Sequence, residues 1–272
     1  MLRKFFYFLS FNNLLYFLLG GCILGIILSY ILKRRKKTVA NAQDIKSQLN
    51  LTFLGYIFHT KNEKKYQNLF DLREKIPGLK NSFLKLKELL ISFSSEKNPL
   101  KVLGVTSACS QERKSFCSIN LAISCAEGQE NTLFINTDLR QEISSCFLET
   151  KNHKGLTDFI SGNCSFQEAI ISTKVDYFSF LPRGSVSSDP QELLKSAKFN
   201  DLIEEAKRKF KRIIINLPPV LPCADLSFVG SKCDGVVLVV LAKAIHLDLL
   251  LKAKKILSKK TKIMGAVLNK AA

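Results

Sequence analysis

Lys114 and Ser115 carry the clearest chemistry in this sequence. They follow a buried apolar run and a short loop, and they open an amphipathic stretch: residues 102–126 read VLGVTSACSQERKSFCSINLAISCA. A strand, a loop and Lys-Ser at a helix start form the context of a phosphate-binding loop. In such a loop backbone N–H groups cradle phosphate oxygens, the helix start favours anions, and the lysine neutralises them. The candidate nucleotide-binding residues are therefore Gln111, Glu112, Arg113, Lys114, Ser115 and Phe116. The pattern wants glycine at 111 and 113, where a Cβ opposes the backbone angles and the close phosphate approach that glycine permits. Taken alone, the loop is a weak match, and a purely structural strand–loop–helix fits it as well.

No second chemistry competes with it. The eight cysteines include no Cys-x-x-Cys pair, so no zinc site is expected. Most lie in apolar stretches, where a free thiol packs as a small hydrophobe, and a domain of this size needs no disulfide staples, which suits a reducing cytosol. His59, His153 and His246 are isolated and read as structural or surface residues, with neither triad nor metal spacing around them.

The elements that must hold the loop are short apolar runs alternating with amphipathic stretches. The strands read at 101–105, 132–136, 177–181, 212–216, 235–241 and 262–268, and the helices at 114–127, 190–210, 224–231 and 245–258. Runs such as VVLVVL are apolar throughout, as strands buried on both faces are. Strand–helix alternation of this kind predicts an α/β domain: a P-loop NTPase-type, mostly parallel sheet with helices on both faces. Upstream, a short helix at 40–49, a strand at 51–58, a polar linker at 61–65 and a helix at 82–91 are expected.

The N-terminus is different. Residues 5–32 hold no charge, and the dense part, 14–32, is long enough to cross about 30 Å of hydrocarbon as one transmembrane helix. Tyr7, Tyr16 and Tyr30 suit interfaces, and Gly21 with Gly25 forms a G-x-x-x-G pair that can bring two helices close. A signal peptide fits poorly, because the run is long and no small-residue cleavage site follows. Five basic residues, Lys33 to Lys37, follow the span, against Arg3 and Lys4 before it. The positive-inside rule then predicts a single-pass protein with a cytoplasmic C-terminal domain. Of the net charge of +18, seven positive charges lie in the first 37 residues with no acid among them, leaving +11 for the rest. A lipid surface is the expected partner of that charge; the aromatic-plus-basic pattern of a nucleic-acid reader is missing, so no nucleic acid is expected. The chain divides in prospect into an anchor with its basic flank (1–37), a membrane-proximal linker and helix (38–95) and the P-loop domain (96–272).

Six segments, in order over nearly the whole chain, resemble the bacterial tyrosine kinases of capsule and exopolysaccharide export, within the MinD/ParA-like P-loop group. TSACSQERKSFCSINLAISCA is similar to the family's TSxxPGEGKSTxxxNLAxxxA, and LFINTDLRQ to its second Walker motif, LLIDADLRxP. GLTDFISGNCSFQEAI resembles GLxDxLxGxxxxxxAI, and LPRGSVSSDPQELLKS resembles LPxGxxPxNPxELLxS. IIINLPPVLPCADLSFVGSKCDGVVLVV is similar to the Walker B stretch IIIDTPPVxxxxDAxxxxxxxDGxxxVV, and GAVLNK to GxVLN. The span, the basic cluster and DIKSQLNLTFLGYI resemble the second transmembrane helix of these co-polymerases and its cytoplasmic exit.

The resemblance implies a place at the bacterial inner (plasma) membrane, ATP and Mg as cofactors, and polysaccharide-assembly proteins in or at the membrane as partners. Homo-oligomers are also implied, although Asn81, Leu84 and Lys87 stand at altered positions of the family's oligomerisation motif. The departures fall on the chemistry. Asn136 and Asn216 replace the two Walker aspartates, and Phe116 replaces a Ser/Thr. Lys114, Ser115, Asp138, Arg140, the Pro218-Pro219 turn and Asn269, the last near the nucleotide base in the family, are kept. Ser115 and Asp138 are thus the remaining candidate Mg ligands, Asp138 the remaining catalytic carboxylate, and Arg113 a second cation near the phosphates. Asparagine has no charge and cannot act as a carboxylate base, while phosphoryl transfer relies on Mg²⁺ held by carboxylates. The expectation is a kinase-like component of polysaccharide assembly with little turnover, acting through protein contacts. An active kinase with an unusual site and a remnant or split-gene product are the alternatives. Other MinD/ParA-like roles are opposed by Cys109, which stands where those proteins carry a second lysine.

Overall fold

Runs such as RIIIN and GVVLVVL have no polar face to give to water, and they form the centre of a sheet. The computed structural model describes residues 16, 18–25, 37–59, 73, 76, 78–140, 154–185, 189–222 and 226–271. The elements are α1 (Ala42–Ser47), β1 (Phe53–His59), α2 (Leu79–Ser92), β2 (Val102–Ser107), α3 (Lys114–Glu127), β3 (Thr132–Asn136), α4 (Leu156–Ser161), α5 (Phe166–Ala169), β4 (Ile171–Ser172) and β5 (Phe178–Leu181). They continue with α6 (Pro190–Lys195), α7 (Ala197–Lys209), β6 (Arg212–Asn216), α8 (Leu226–Gly230), β7 (Gly235–Leu241), α9 (Leu247–Ser258) and β8 (Ile263–Ala271). The eight strands form one sheet in the order β1-β8-β7-β2-β6-β3-β5-β4. Among the pairs of these eight described strands, the β4–β5 pair is antiparallel and the others are parallel.

Alternation along the strands sorts the core into two layers, because successive side chains point to opposite faces. Ile213, Ile215, Val236, Leu238 and Val240 join Leu202, Ala206, Leu250 and Leu257 on one side. Ile214, Val237 and Val239 join Phe83, Leu90, Leu121 and Ile123 on the other. α7 and α9 therefore cover one face, and α2 and α3 cover the other. This is the mixed α/β, mostly parallel sheet that the alternation predicts.

The chain divides into two compact units, Met1–Lys37 and Thr38–Ala272. β1 and α2 come from the stretch read as membrane-proximal, yet they belong to the second unit: β1 pairs in parallel with β8, and Phe83 of α2 is fully buried. The segment read as one helix at 190–210 is two. Ser196 is extended (φ −66°, ψ 154°), and its hydroxyl accepts from the Phe199 N–H at 3.3 Å, which ends α6 and caps α7. β5 starts one residue later than expected because Tyr177 turns into the left-handed region (φ 61°). Within the first unit, Tyr16 and residues 18–25 are helical. The rest of the candidate span at 14–32, and the basic cluster up to residue 36, lie outside the described residues. Among the described residues no helix is long and apolar enough to cross a membrane.

Candidate functional site

Three central strands bring the site together at their C-terminal ends. β2 runs into the loop 108–113, β3 ends on Asn136 and β6 ends on Asn216. Sheet register does the positioning: Asn136 is the direct partner of Asn216, and Val105 of β2 is paired to Asn216 on its other side. The loop is tied to the segment after β6. Val220 and Leu221 donate backbone N–H to the carbonyls of Ser107 (2.9 Å) and Ala108 (3.1 Å). The Thr106 hydroxyl donates to the Pro218 carbonyl at 2.7 Å, so the Pro-Pro turn buttresses the loop from beneath.

Arg113, at the expected glycine position, takes the left-handed conformation that glycine would take (φ 59°, ψ 34°). A side chain there costs about 1–2 kcal/mol, and the loop keeps its path at that cost. Glu112 has no exposed surface. Its carboxylate accepts from the Cys109 N–H at 2.8 Å and the Leu241 N–H at 3.1 Å, clamping the loop to the end of β7. Burial pushes this carboxyl up to about 7, against the opposing pull of its backbone donors. Asn269 is also fully buried, and its amide donates to the Glu112 carbonyl at 3.3 Å. Both residues, expected at the nucleotide, set the shape of the loop. Phe116, expected there too, lays its ring edge-on to Phe83 of α2 with centroids 6.1 Å apart. Gln111 and Arg140 are exposed.

Lys114 and Asp138 face each other in the interior. Nζ lies 2.5 Å from Oδ2, and both side chains are 2% exposed. Beside them lies an amide network. Asn216 Nδ2 donates to Asn136 Oδ1 at 2.9 Å and faces Ser115 Oγ at 3.3 Å. Asn136 Oδ1 also accepts from the Asp138 backbone N–H at 3.2 Å. That N–H can only donate, so the orientation of both amides is forced. Ser118 Oγ lies 3.2 Å from Asn216 Oδ1, and Thr137 donates to the Asn216 carbonyl at 2.8 Å. Neither Ser118 nor Thr137 was singled out from sequence, although Ser118 lies one helical turn beyond Ser115, on the same face of α3.

The residues present do not fit magnesium. That ion takes about six oxygens at about 2.0–2.1 Å and prefers carboxylates. Its two candidate ligands each face an N–H donor instead: Ser115 Oγ faces Asn216 Nδ2, and Asp138 faces the lysine. Among the described residues no group of three His, Cys, Asp or Glu side chains is placed to hold a metal ion. The arrangement can receive phosphate at the α3 N-terminus once Lys114 leaves Asp138.

No family model matches the chain. It is 38% identical over 182 residues to the tyrosine-protein kinase CpsD of Streptococcus agalactiae, covering 66% of this chain and 79% of that protein. It is 32% identical over 180 residues to the tyrosine-protein kinase YwqD of Bacillus subtilis, covering 66% of this chain and 76% of that protein. The crystal structure of the chimerical protein CapA2B2 superposes with a TM-score of 0.76 at 25% identity, over 84% of this chain and 98% of that one.

Proposed function

This chain belongs to the family of bacterial tyrosine-protein kinases, and from that premise we propose that it is a kinase-like protein with little or no phosphotransfer, working through protein contacts in capsule or exopolysaccharide assembly. The observation that carries this reading is the amide pair. Asn136 and Asn216 meet at 2.9 Å across paired strands, where the family resemblance expects aspartates. Their hydrogen bonds close on protein groups, and the site lacks the two aspartates that would join Asp138 in gathering Mg²⁺ and charge-compensating phosphoryl transfer. Loss of one preorganised electrostatic group of another kind, an oxyanion-hole donor, costs about 10²–10³ in rate.

Support for the remaining parts of the proposal comes from sequence. The uncharged stretch before the basic cluster suits a single-pass anchor in the bacterial plasma membrane with the domain in the cytoplasm. The partners are then polysaccharide-assembly proteins in or at that membrane, together with further copies of this chain. ATP is the nucleotide of the site, weakly held. The test is phosphotyrosine formation by the full chain in detergent, given ATP and Mg²⁺ with and without a tyrosine-rich acceptor. The expected result is no incorporation above a Lys114→Met control. Incorporation that Lys114→Met abolishes would overturn the reading.

A further inference from the structure

We infer that this loop binds nucleotide phosphates without a divalent cation, neutralising them with protein cations and N–H donors. The inference rests on the reading of the loop as a nucleotide site. Two aspartates in register at the ends of β3 and β6 would put two buried negative charges side by side, and a cation would have to join them. The two asparagines put none there. Asn136 Oδ1 is already shared between the Asp138 N–H and the Asn216 amide. Asn216 turns its NH₂ toward Ser115 Oγ, so positive hydrogens face the oxygen that would hold the metal. A cation entering here would have to break both hydrogen bonds and would find no new carboxylate in return.

The carboxylate that the resemblance leaves for a metal is committed. Asp138 pairs with Lys114 at 2.5 Å, and this buried pair is neutral as it stands. A phosphate arriving at the α3 N-terminus competes with Asp138 for the same ammonium. Without a metal to screen them, Asp138 and the phosphate repel each other. Two consequences follow: affinity is indifferent to chelation, and Asp138 opposes binding.

The experiment uses the full chain in detergent and ADP as the probe, titrated by calorimetry at matched ionic strength with excess Mg²⁺ or with EDTA. The two dissociation constants are expected to agree within about threefold, which is well under the 1.4 kcal/mol of a tenfold change. Asp138→Asn is expected to bind more tightly in EDTA, and Asn136→Asp with Asn216→Asp to restore a gap of about tenfold or more between the two buffers. The wild-type comparison decides alone where a variant does not fold. Binding about tenfold weaker in EDTA, or absent in both buffers, overturns the inference and leaves the absence of phosphotransfer standing. Phosphotransfer with equal binding in both buffers overturns the functional proposal and leaves the inference.

Discussion

Glu112 shows how one side chain can set the behaviour of the loop. Its carboxyl is fully buried and bridges the Cys109 and Leu241 N–H groups, and burial raises it from the ordinary 4.5 to about 7. In the unfolded chain it titrates near the ordinary value, so between the two the folded protein holds the extra proton. Stability is then greatest below about 4.5, falls as pH rises through about 7, and levels off above it. The rise from 4.5 to about 7 corresponds to roughly 3 kcal/mol as an upper figure. Glu112→Gln stays neutral throughout, so it should remove this dependence. Urea unfolding of both proteins at pH 5 and pH 8 checks it: the wild type should lose a few kcal/mol more than the variant between the two, and parallel losses would refute the assignment. This role was invisible in sequence, where Glu112 was one loop residue among six. At Arg113 the sequence reading holds as a cost: a Cβ opposes the left-handed conformation, and the residue adopts φ 59° all the same in a loop whose start is tied to residues 218–221.

Four elements are legible to the residue in the sequence, while β2 and β8 run on two and three residues past the bounds read there. α3, β3, β6 and β7 have the bounds read from sequence, because a polar residue or turn marks each end of an unbroken apolar or periodic run. α4, α5 and β4 are too short, at two to six residues, to show a period; the two helices are held by caps and β4 by its pairing with β5. Ser165-Phe166-Gln167-Glu168 is nonetheless a capping-box signature, and both of its reciprocal bonds are present. The break at Ser196 was the other miss. An apolar stripe does run through α7, with Phe199, Leu202, Ile203 and Ala206 buried, but the serine hydroxyl accepts from the N–H of Phe199, the third residue of a new helix, and caps its start. Ser196→Ala should therefore cost about 1 kcal/mol of stability, and Ser196→Gly only a few tenths. Equal losses for the two in urea unfolding would assign the break to backbone packing and not to the cap. The amide pair of the site lies beyond any local signal. Asn136 and Asn216 are 80 residues apart, and only the β3–β6 register makes them partners.

At the scale of the whole molecule, charge and hydropathy point the same way. A protein at +18 has a general attraction for anionic lipid, but that attraction is screened within about 10 Å at 0.1 M salt. An apolar span is indifferent to salt. The two contributions separate by extraction: the full chain should stay in the membrane pellet through high salt and alkaline carbonate, whereas residues 38–272, carrying the remaining +11, should leave at high salt. Release of the full chain by salt alone would reduce the first 37 residues to an electrostatic tether. Orientation adds a sharper test. Five basic residues follow the apolar run and two precede it, and that bias is the sequence's argument for a cytoplasmic domain. Replacing Lys33, Arg34, Arg35, Lys36 and Lys37 by serine reverses the bias, leaving Arg3 and Lys4 before the run against Lys46 after it. A protease added outside intact spheroplasts should spare the domain of the wild-type protein and digest a substantial share of the serine variant's. Equal protection of the two would mean that folding of the large domain before insertion, and not the flanking charge, keeps it inside.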